Sequence, residues 1–183
     1  SAVFLNSERE EGVKGRYIDG QVYLPVDWVD EAVNERFYWD EENSQLIYTL
    51  PDQIVYANEE TMGSSGKPLL VQQDGTVWLL SSLVSAYTNV RIETFDTDGV
   101  HRIFVDTTWE SQQLAKVKKN TALRIRGGVK SALITEVPSG AEVTVLEQLE
   151  NWSRVRTEDG QVGYLPNRRL KETEAKTLVS TFQ

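Results

Sequence analysis

An internal repeat constrains the fold of this chain more than any other feature of its 183 residues. Residues 19–25, with the sequence DGQVYLP, align with residues 74–80, with the sequence DGTVWLL, at an offset of 55 positions. The similarity extends beyond these segments, and a slip of one residue then aligns Trp39 with Phe95. The repeat predicts two related copies, at about residues 13–57 and 68–107.

Each copy has the pattern of a small α+β unit. An Asp-Gly dipeptide, which favours a tight hairpin turn, precedes a short apolar strand in both copies. The spacing of apolar residues then predicts helices at residues 26–33 and 81–87, each followed by two strands around a polar turn. Because a single copy of roughly 45 residues buries little apolar surface, we expect the copies to share one core. Residues 1–110 are therefore predicted to form one duplicated α+β domain.

The charge of the chain changes sign near residue 110. Residues 1–110 carry 20 acidic and 7 basic residues, for a net charge of −13, whereas residues 111–183 carry 8 acidic and 12 basic residues, for +4. This step favours two units with different surroundings. The basic residues are scattered rather than interleaved with aromatics, which argues against a nucleic-acid partner. No apolar run reaches the roughly 18 residues that a membrane span needs.

The second half of the chain lacks a helical period and has the pattern of closely spaced strands. Residues 111–115 are polar and are predicted to form a linker, residues 116–172 a second domain, and residues 173–183 a tail leading to a downstream domain. Apolar residues alternate with polar ones, as strands with one face in a small barrel require. The residues assigned to that inner face are Val143, Val145, Trp152, Val155, Val162 and Tyr164.

Residues 116–172 resemble the bacterial SH3-type domain family. The resemblance lies in residues 123–128 (LRIRGG), 137–146 (VPSGAEVTVL) and 160–166 (GQVGYLP), which follow the order of the family's motifs. It implies that the second domain is an all-β SH3-like barrel.

Residues 13–107 resemble the duplicated domain named after the N-terminal region of copper amine oxidases, a stalk module of exported bacterial proteins. Residues 19–25 and 37–40 carry this resemblance, whereas Leu80 replaces the proline in the second copy. The order of the two domains is similar to the front end of certain exported bacterial family-18 glycoside hydrolases, in which a catalytic barrel follows. The resemblance implies an extracellular or cell-surface location in a Gram-positive-type bacterium, without copper or oxidase chemistry.

No catalytic or metal-binding pattern is apparent in the sequence. Family-18 hydrolases need an Asp-x-x-Asp-x-Asp-x-Glu run, and the chain has none. His101 is the single histidine and cysteine is absent, so a histidine pair and a thiolate site are both excluded. Residues 96–99 begin like a calcium loop but lack the later oxygen ligands, and we interpret them as a turn. We therefore expect no cofactor and no catalytic activity in this chain.

Two aromatic residues of the second domain are candidates for ligand contact. Trp152 and Tyr164 either line a groove that stacks on a peptide or sugar, or lie in the barrel core. In a groove, Arg126 and Asn167 would supply polar contacts at its edge. The core placement is the preferred interpretation, although small barrels use aromatics for both purposes.

Two functional hypotheses follow from these patterns. In the first, the chain is an accessory region that positions a downstream wall- or glycan-hydrolysing domain, while the SH3-type domain binds peptidoglycan or another cell-wall polymer. In the second, the chain is a structural spacer or intramolecular scaffold, and the SH3-type domain packs against the stalk or the downstream catalytic domain. The opposite net charges of the two halves are compatible with such docking.

Overall fold

The computed structural model describes residues 1–63, 65–88, 90–97, 99–107 and 111–177. Strands hold 57% of the residues and helices 10%, so the architecture is mostly β. The described residues divide into two compact units. The first comprises residues 1–63, 65–88, 90–94 and 101–107, and the second comprises residues 95–97, 99–100 and 111–177.

The first unit is built from short strands with two helical segments between them. Helix α1 (Val26–Trp28) continues as a π-helical turn (Val29–Val33), and helix α2 is Ser81–Ala86. The strands are β1 (Ala2–Leu5), β2 (Glu8–Lys14), β3 (Arg16–Ile18), β4 (Gln21–Pro25), β5 (Phe37–Asp40), β6 (Gln45–Leu50), β7 (Gln53–Ala57), β8 (Leu70–Gln73), β9 (Thr76–Leu80), β10 (Arg91–Thr97) and β11 (Val100–Asp106). The end of β10, from Phe95, and the first residue of β11 belong to the second unit.

Both helical segments lie where the sequence predicts them. The α1 segment with its π-helical turn covers residues 26–33, and α2 ends one residue before the predicted end at residue 87. Each follows directly on a strand and buries one apolar face, which in α2 consists of Leu83 and Val84.

The two Asp-Gly dipeptides form the same kind of turn. Asp19 and Gly20 have φ angles of 49° and 79°, and Asp74 and Gly75 have φ angles of 52° and 75°. Positive φ at both central residues is the mark of a type I′ hairpin turn, which asparagine, aspartate and glycine adopt most readily. The turns connect β3 to β4 and β8 to β9.

A four-stranded sheet joins the two segments that the repeat aligns. Its order is β3-β4-β9-β8, so the central strands β4 and β9 come from different copies. They are antiparallel, and Leu24 lies opposite Leu79. This pairing suits two copies related by a local two-fold axis, but the duplication of the whole unit stays a prediction.

Two further sheets complete the first unit. One has the order β5-β6-β7, and the other has the order β10-β11-β1-β2. Strand β1 runs parallel to β11, with Val3 opposite Ile103. The buried residues of the unit form one cluster that includes Tyr23 and Leu46 as well as Leu83. Side chains from residues 13–57 and from residues 68–107 therefore meet in one core.

The second unit contains one seven-stranded sheet. Its strands are β12 (Ser111–Val117), β13 (Thr121–Arg124), β14 (Leu133–Val137), β15 (Glu142–Gln148), β16 (Trp152–Thr157), β17 (Val162–Pro166) and β18 (Leu170–Thr177), in the order β14-β13-β17-β16-β15-β12-β18. A 3₁₀ turn (Asn167–Arg169) precedes β18. The core of the unit includes Val117, Leu123, Val143, Val155 and Leu165, which come from five of these strands. Because one sheet supplies the whole cluster, the sheet must curl around it.

The predicted linker and part of the predicted tail are wrong, because both belong to this sheet. Residues 111–115 lie in β12 and residues 173–177 lie in β18, and the two strands pair antiparallel. The side-chain Nε2 of Gln113 donates 2.8 Å hydrogen bonds to the backbone carbonyl oxygens of Leu114 and Thr173. Strand β12 was not predicted because its first three residues are polar, a composition more typical of a linker. Residues 178–183 of the predicted tail, and Asp98 of the predicted turn, lie outside the described residues.

Candidate functional site

Strand β16 separates the barrel core from an outer face. Ser153 and Val155 are buried and point inward, whereas Trp152 and Arg154 alternate with them and are only partly buried. Side chains along a strand point to opposite faces in turn, so Trp152 and Arg154 share the outer face. Because its strand neighbour Ser153 faces the interior, Trp152 faces outward.

The pairing register brings Tyr164 onto the same face. Tyr164 lies opposite Arg154 on β16, and opposite Arg124 on β13. Trp152 lies opposite Pro166, so Trp152 and Tyr164 are diagonal neighbours on adjacent strands. Diagonal pairs have side chains within reach when one of them is aromatic.

These registers define a line of side chains across five strands, which we name the outer row. It combines one aromatic ring, two guanidinium groups, one carboxylate and one exposed leucine. From β14 to β15 the outer row consists of Leu133, Arg124, Tyr164, Arg154 and Glu147. Trp152 lies beside the row on β16.

A close approach of two strands holds Tyr164 against β13. A Cβ atom on Gly163 would lie 2.8 Å from the carbonyl oxygen of Arg124 and 2.8 Å from Cγ of Leu123. Only glycine therefore allows β17 to come this near to β13. Gly163 is therefore required for the close pairing that places Tyr164 opposite Arg124 in the outer row.

A loop formed by residues 125–132 packs against Trp152. A Cβ atom on Gly127 would lie 2.9 Å from Cγ of Trp152, so the glycine backbone rests against the indole. The loop is held by Arg124, whose Nη1 donates a 2.8 Å hydrogen bond to the carbonyl oxygen of Ser131. The hydroxyl of Ser131 lies 2.7 Å from the carbonyl oxygen of Gly128. The packing of the loop fixes one side of Trp152.

The preferred core placement of Trp152 and Tyr164 is wrong, and so is that of Val162. None of the three belongs to the buried cluster of the second unit. Val143 and Val155 do belong to it, and Val145 packs against it, as predicted. Trp152 and Val155 are an odd number of residues apart, so a regular strand cannot turn both inward.

Arg126 and Asn167 differ in what they offer a ligand. Arg126 is exposed in the loop and precedes Gly127, which rests against Trp152. Asn167 is committed to the fold. Its Oδ1 accepts a 2.5 Å hydrogen bond from the hydroxyl of Ser153, and its Nδ2 donates a 2.8 Å bond to the carbonyl oxygen of Leu149. These bonds give Asn167 a bracing role, and its contact with a ligand stays a prediction.

The sequence reasoning missed Arg124 and Arg154, which flank Tyr164 in the outer row. Arg154 was detectable, since it lies two residues after Trp152 on one strand and therefore shares its face. Arg124 was not detectable in this way, because its position opposite Tyr164 depends on a strand pairing across 40 residues. The loop also exposes Ile125 and Val129, which add apolar surface beside the row.

The outer face carries groups that suit ligand binding. Its aromatic rings can stack on a flat ligand, and its guanidinium groups can pair with carboxylates. Among the described residues, no group of three or more His, Cys, Asp or Glu side chains is arranged to hold a metal ion. None of the described helices is long and apolar enough to cross a membrane.

Comparison with known proteins identifies the domain that carries the outer row. The family model described as bacterial SH3 domain matches residues 119–171. No curated protein and no solved structure matches the chain. The matched residues include strands β13 to β17, the loop at 125–132 and the whole outer row. Residues 119–171 of this chain are therefore a bacterial SH3 domain.

Proposed function

We propose that this chain is a non-catalytic accessory region of an exported bacterial hydrolase, and that its SH3 domain binds cell-wall peptide or glycan. Bacterial SH3 domains commonly bind cell-wall components, which is compatible with a targeting role. The proposed ligand contacts are Trp152, Tyr164 and Arg126, together with Arg124 and Arg154.

The observation that carries this proposal is the outward placement of Trp152 and Tyr164. A buried aromatic pair would serve the core, whereas a partly exposed pair on one face provides a stacking surface. The neighbouring arginines suit the carboxylates of a wall peptide, since guanidinium and carboxylate form charge-assisted pairs. The net charge of +4 in residues 111–183 would draw an anionic polymer to this half of the chain.

The wider context of the proposal comes from the sequence. The resemblance of residues 13–107 to a stalk module, followed by the SH3 domain, supports a position in front of a downstream glycoside hydrolase domain. An exported hydrolase of this kind acts at the cell surface, where its substrate is an immobile polymer. A second contact with that polymer would hold the catalytic domain close to it.

Co-sedimentation with purified peptidoglycan tests the wall-binding role. We expect the full chain to pellet with peptidoglycan at low salt, and the pelleted fraction to fall as salt rises, since the arginine contacts are screened. Trp152→Ala should remain folded and lose most of this retention. Retention that is absent at low salt, or unchanged in Trp152→Ala, would contradict the proposal.

A packing contact in the second unit favours the spacer or scaffold as the second candidate. Phe95 lies against Gly160, and the guanidinium carbon of Arg156 lies 5.8 Å from the centre of the Phe95 ring. An aromatic ring seated on a barrel strand and turn supports a mechanical role for this domain. In that role, Phe95→Ala increases hydrogen exchange at residues 157–161, and peptidoglycan fails to retain the unaltered chain.

A further inference from the structure

A cleft in the first unit lies outside the SH3 domain and outside the proposed wall contact. Three separate chain segments line it, namely the start of α1, the turn between β5 and β6, and the turn between β8 and β9. Its volume is about 450 Å³. Each of the three segments contributes both polar and apolar side chains to the lining.

The apolar part of the cleft is centred on one indole. Trp39 is partly buried and packs against the core of the unit, which fixes its ring. Val26 is buried and Val77 partly buried, and they add aliphatic surface. A cleft of this volume is within the range of small-molecule sites, and a fixed aromatic ring offers a stacking surface to a flat or ring-shaped ligand.

The polar part of the cleft suits a ligand that carries several hydroxyl groups. Ser44, Gln72 and Thr76 present hydroxyl and amide groups, which both donate and accept hydrogen bonds. The side chain of Gln73 already makes one hydrogen bond within the protein, since its Oε1 accepts a 3.1 Å bond from Nη1 of Arg16. An apolar ligand would leave these polar groups without partners, at a cost in free energy.

The charge of the cleft restricts the ligand further. Asp27, Glu41 and Asp74 each contribute a carboxylate. Asp74 is neutralised by Arg16 at 2.8 Å, and Arg16 is itself seated over the ring of Trp78. Neither Asp27 nor Glu41 has an ion-pair partner among the residues that the structure describes. Anionic ligands are therefore disfavoured, and a ligand with a positive charge is preferred.

We propose that this cleft binds a saccharide unit that bears a free amino group. Its ring stacks on Trp39, its hydroxyl groups bond to Ser44, Gln72 and Thr76, and its ammonium group lies between Asp27 and Glu41. A lysine side chain would satisfy the carboxylates but would leave the three polar side chains unpaired. The proposal is independent of wall binding by the SH3 domain, because it concerns different residues.

Calorimetric titration of the full chain with two matched sugars tests this proposal. The probes are a glucosamine tetramer, at a pH where its amines are protonated, and the N-acetylglucosamine tetramer, which has no amines. We expect the glucosamine tetramer to bind roughly tenfold more tightly, since only it carries the positive charge that the two carboxylates attract. Equal binding of both tetramers, or binding of neither, would overturn the proposal.

Variants locate the binding and separate it from other sites. Glu41→Gln and Asp27→Asn should each reduce the preference for glucosamine by several-fold, whereas Glu42→Gln, which alters an adjacent exposed carboxylate outside the cleft, should not. Trp152→Ala should leave the titration unchanged, because it alters only the SH3 domain. Unfolding midpoints confirm that each variant is folded. Oligolysine that binds as tightly as the glucosamine tetramer would contradict a saccharide ligand.

Discussion

Leu24 and Leu79, which the repeat aligns at its 55-residue offset, lie directly opposite each other in the antiparallel pair of β4 and β9. Both side chains are fully buried. Such a pairing is expected where two copies are related by a local two-fold axis, so it is compatible with the predicted duplication.

This relationship predicts similar costs for truncating either leucine. Leu24→Ala and Leu79→Ala should each lower the free energy of unfolding by about 2–5 kcal/mol, because each leaves a cavity in the core. Since the side chains are neighbours, the double variant should deviate from the sum of the two single effects. Denaturant unfolding of the full chain measures all three values.

An exposed residue of the same unit provides the control. Ile54 is 57% exposed, so Ile54→Ala should change the free energy of unfolding by no more than about 0.5 kcal/mol. If one of the two leucine variants behaved like this control, the two positions would not be equivalent, and the shared-core account would fail.

Local features of the first unit were predictable, and distant pairings were not. The Asp19-Gly20 turn and the start of α2 depend on residues that are adjacent in the sequence. The parallel pairing of Val3 with Ile103 joins residues about 100 positions apart, and no local pattern specifies it. Strand β12 was also missed. Its polar residues predict a linker, and the strand forms because it pairs with β18, about 55 to 65 residues later in the sequence.

The contact between Gly127 and Trp152 predicts a specific effect of adding one methyl group. Gly127→Ala would place its Cβ 2.9 Å from Cγ of Trp152, so the indole or the loop must move. We expect weaker retention by peptidoglycan and altered tryptophan fluorescence. Gly128→Ala is the matched control, because its Cβ would have no neighbour within 4 Å. Identical behaviour of the two variants would rule out this packing as a determinant of binding.

The bracing role of Asn167 predicts a loss of stability without a loss of ligand contacts. Asn167→Ala leaves the hydroxyl of Ser153, which is 2% exposed, without its acceptor. We expect the free energy of unfolding to fall by about 1–3 kcal/mol. Asn151→Ala, in the adjacent turn, should have little effect. If the Asn167→Ala variant kept its free energy of unfolding but no longer bound peptidoglycan, Asn167 would be a ligand contact instead.

Asp40 predicts a pH-dependent contribution to stability. Its pKa is held below the ordinary value of 3.8, chiefly by a 2.8 Å hydrogen bond from the side-chain amide of Asn43. A lowered pKa in the folded state stabilises the protein above the unfolded pKa, and this stabilisation is lost as the pH falls through the folded pKa. The Asn43→Ala variant should therefore have a lower unfolding midpoint at neutral pH, with the difference shrinking below pH 3.8.

The Asp40→Asn background provides the control for this pH dependence, because it removes the titrating group. In that background, the difference caused by Asn43→Ala should be the same at every pH. A difference that still shrank on acidification would assign the effect to another carboxylate.

The sequence suggested which residues could form the candidate site, but it did not predict that Trp152 and Tyr164 face outward. Trp152, Tyr164 and Arg126 were proposed from the sequence. The pairing register places Trp152 and Tyr164 on one face, and Arg126 precedes the glycine that packs on Trp152. Three of the six residues assigned to the inner face, Trp152, Val162 and Tyr164, lie outside the buried cluster. The role of Asn167 depends on the turn at Leu149, which the sequence does not place near it.

Residue-resolved NMR titration with a soluble disaccharide-peptide fragment of peptidoglycan is the most direct test of the proposed ligand face. The account predicts the largest shift changes at the Trp152 indole and at the backbone amides of Arg124, Arg154 and Tyr164, with little change in β18. No change at saturating fragment concentrations, or changes confined to residues away from this outer face, would contradict it.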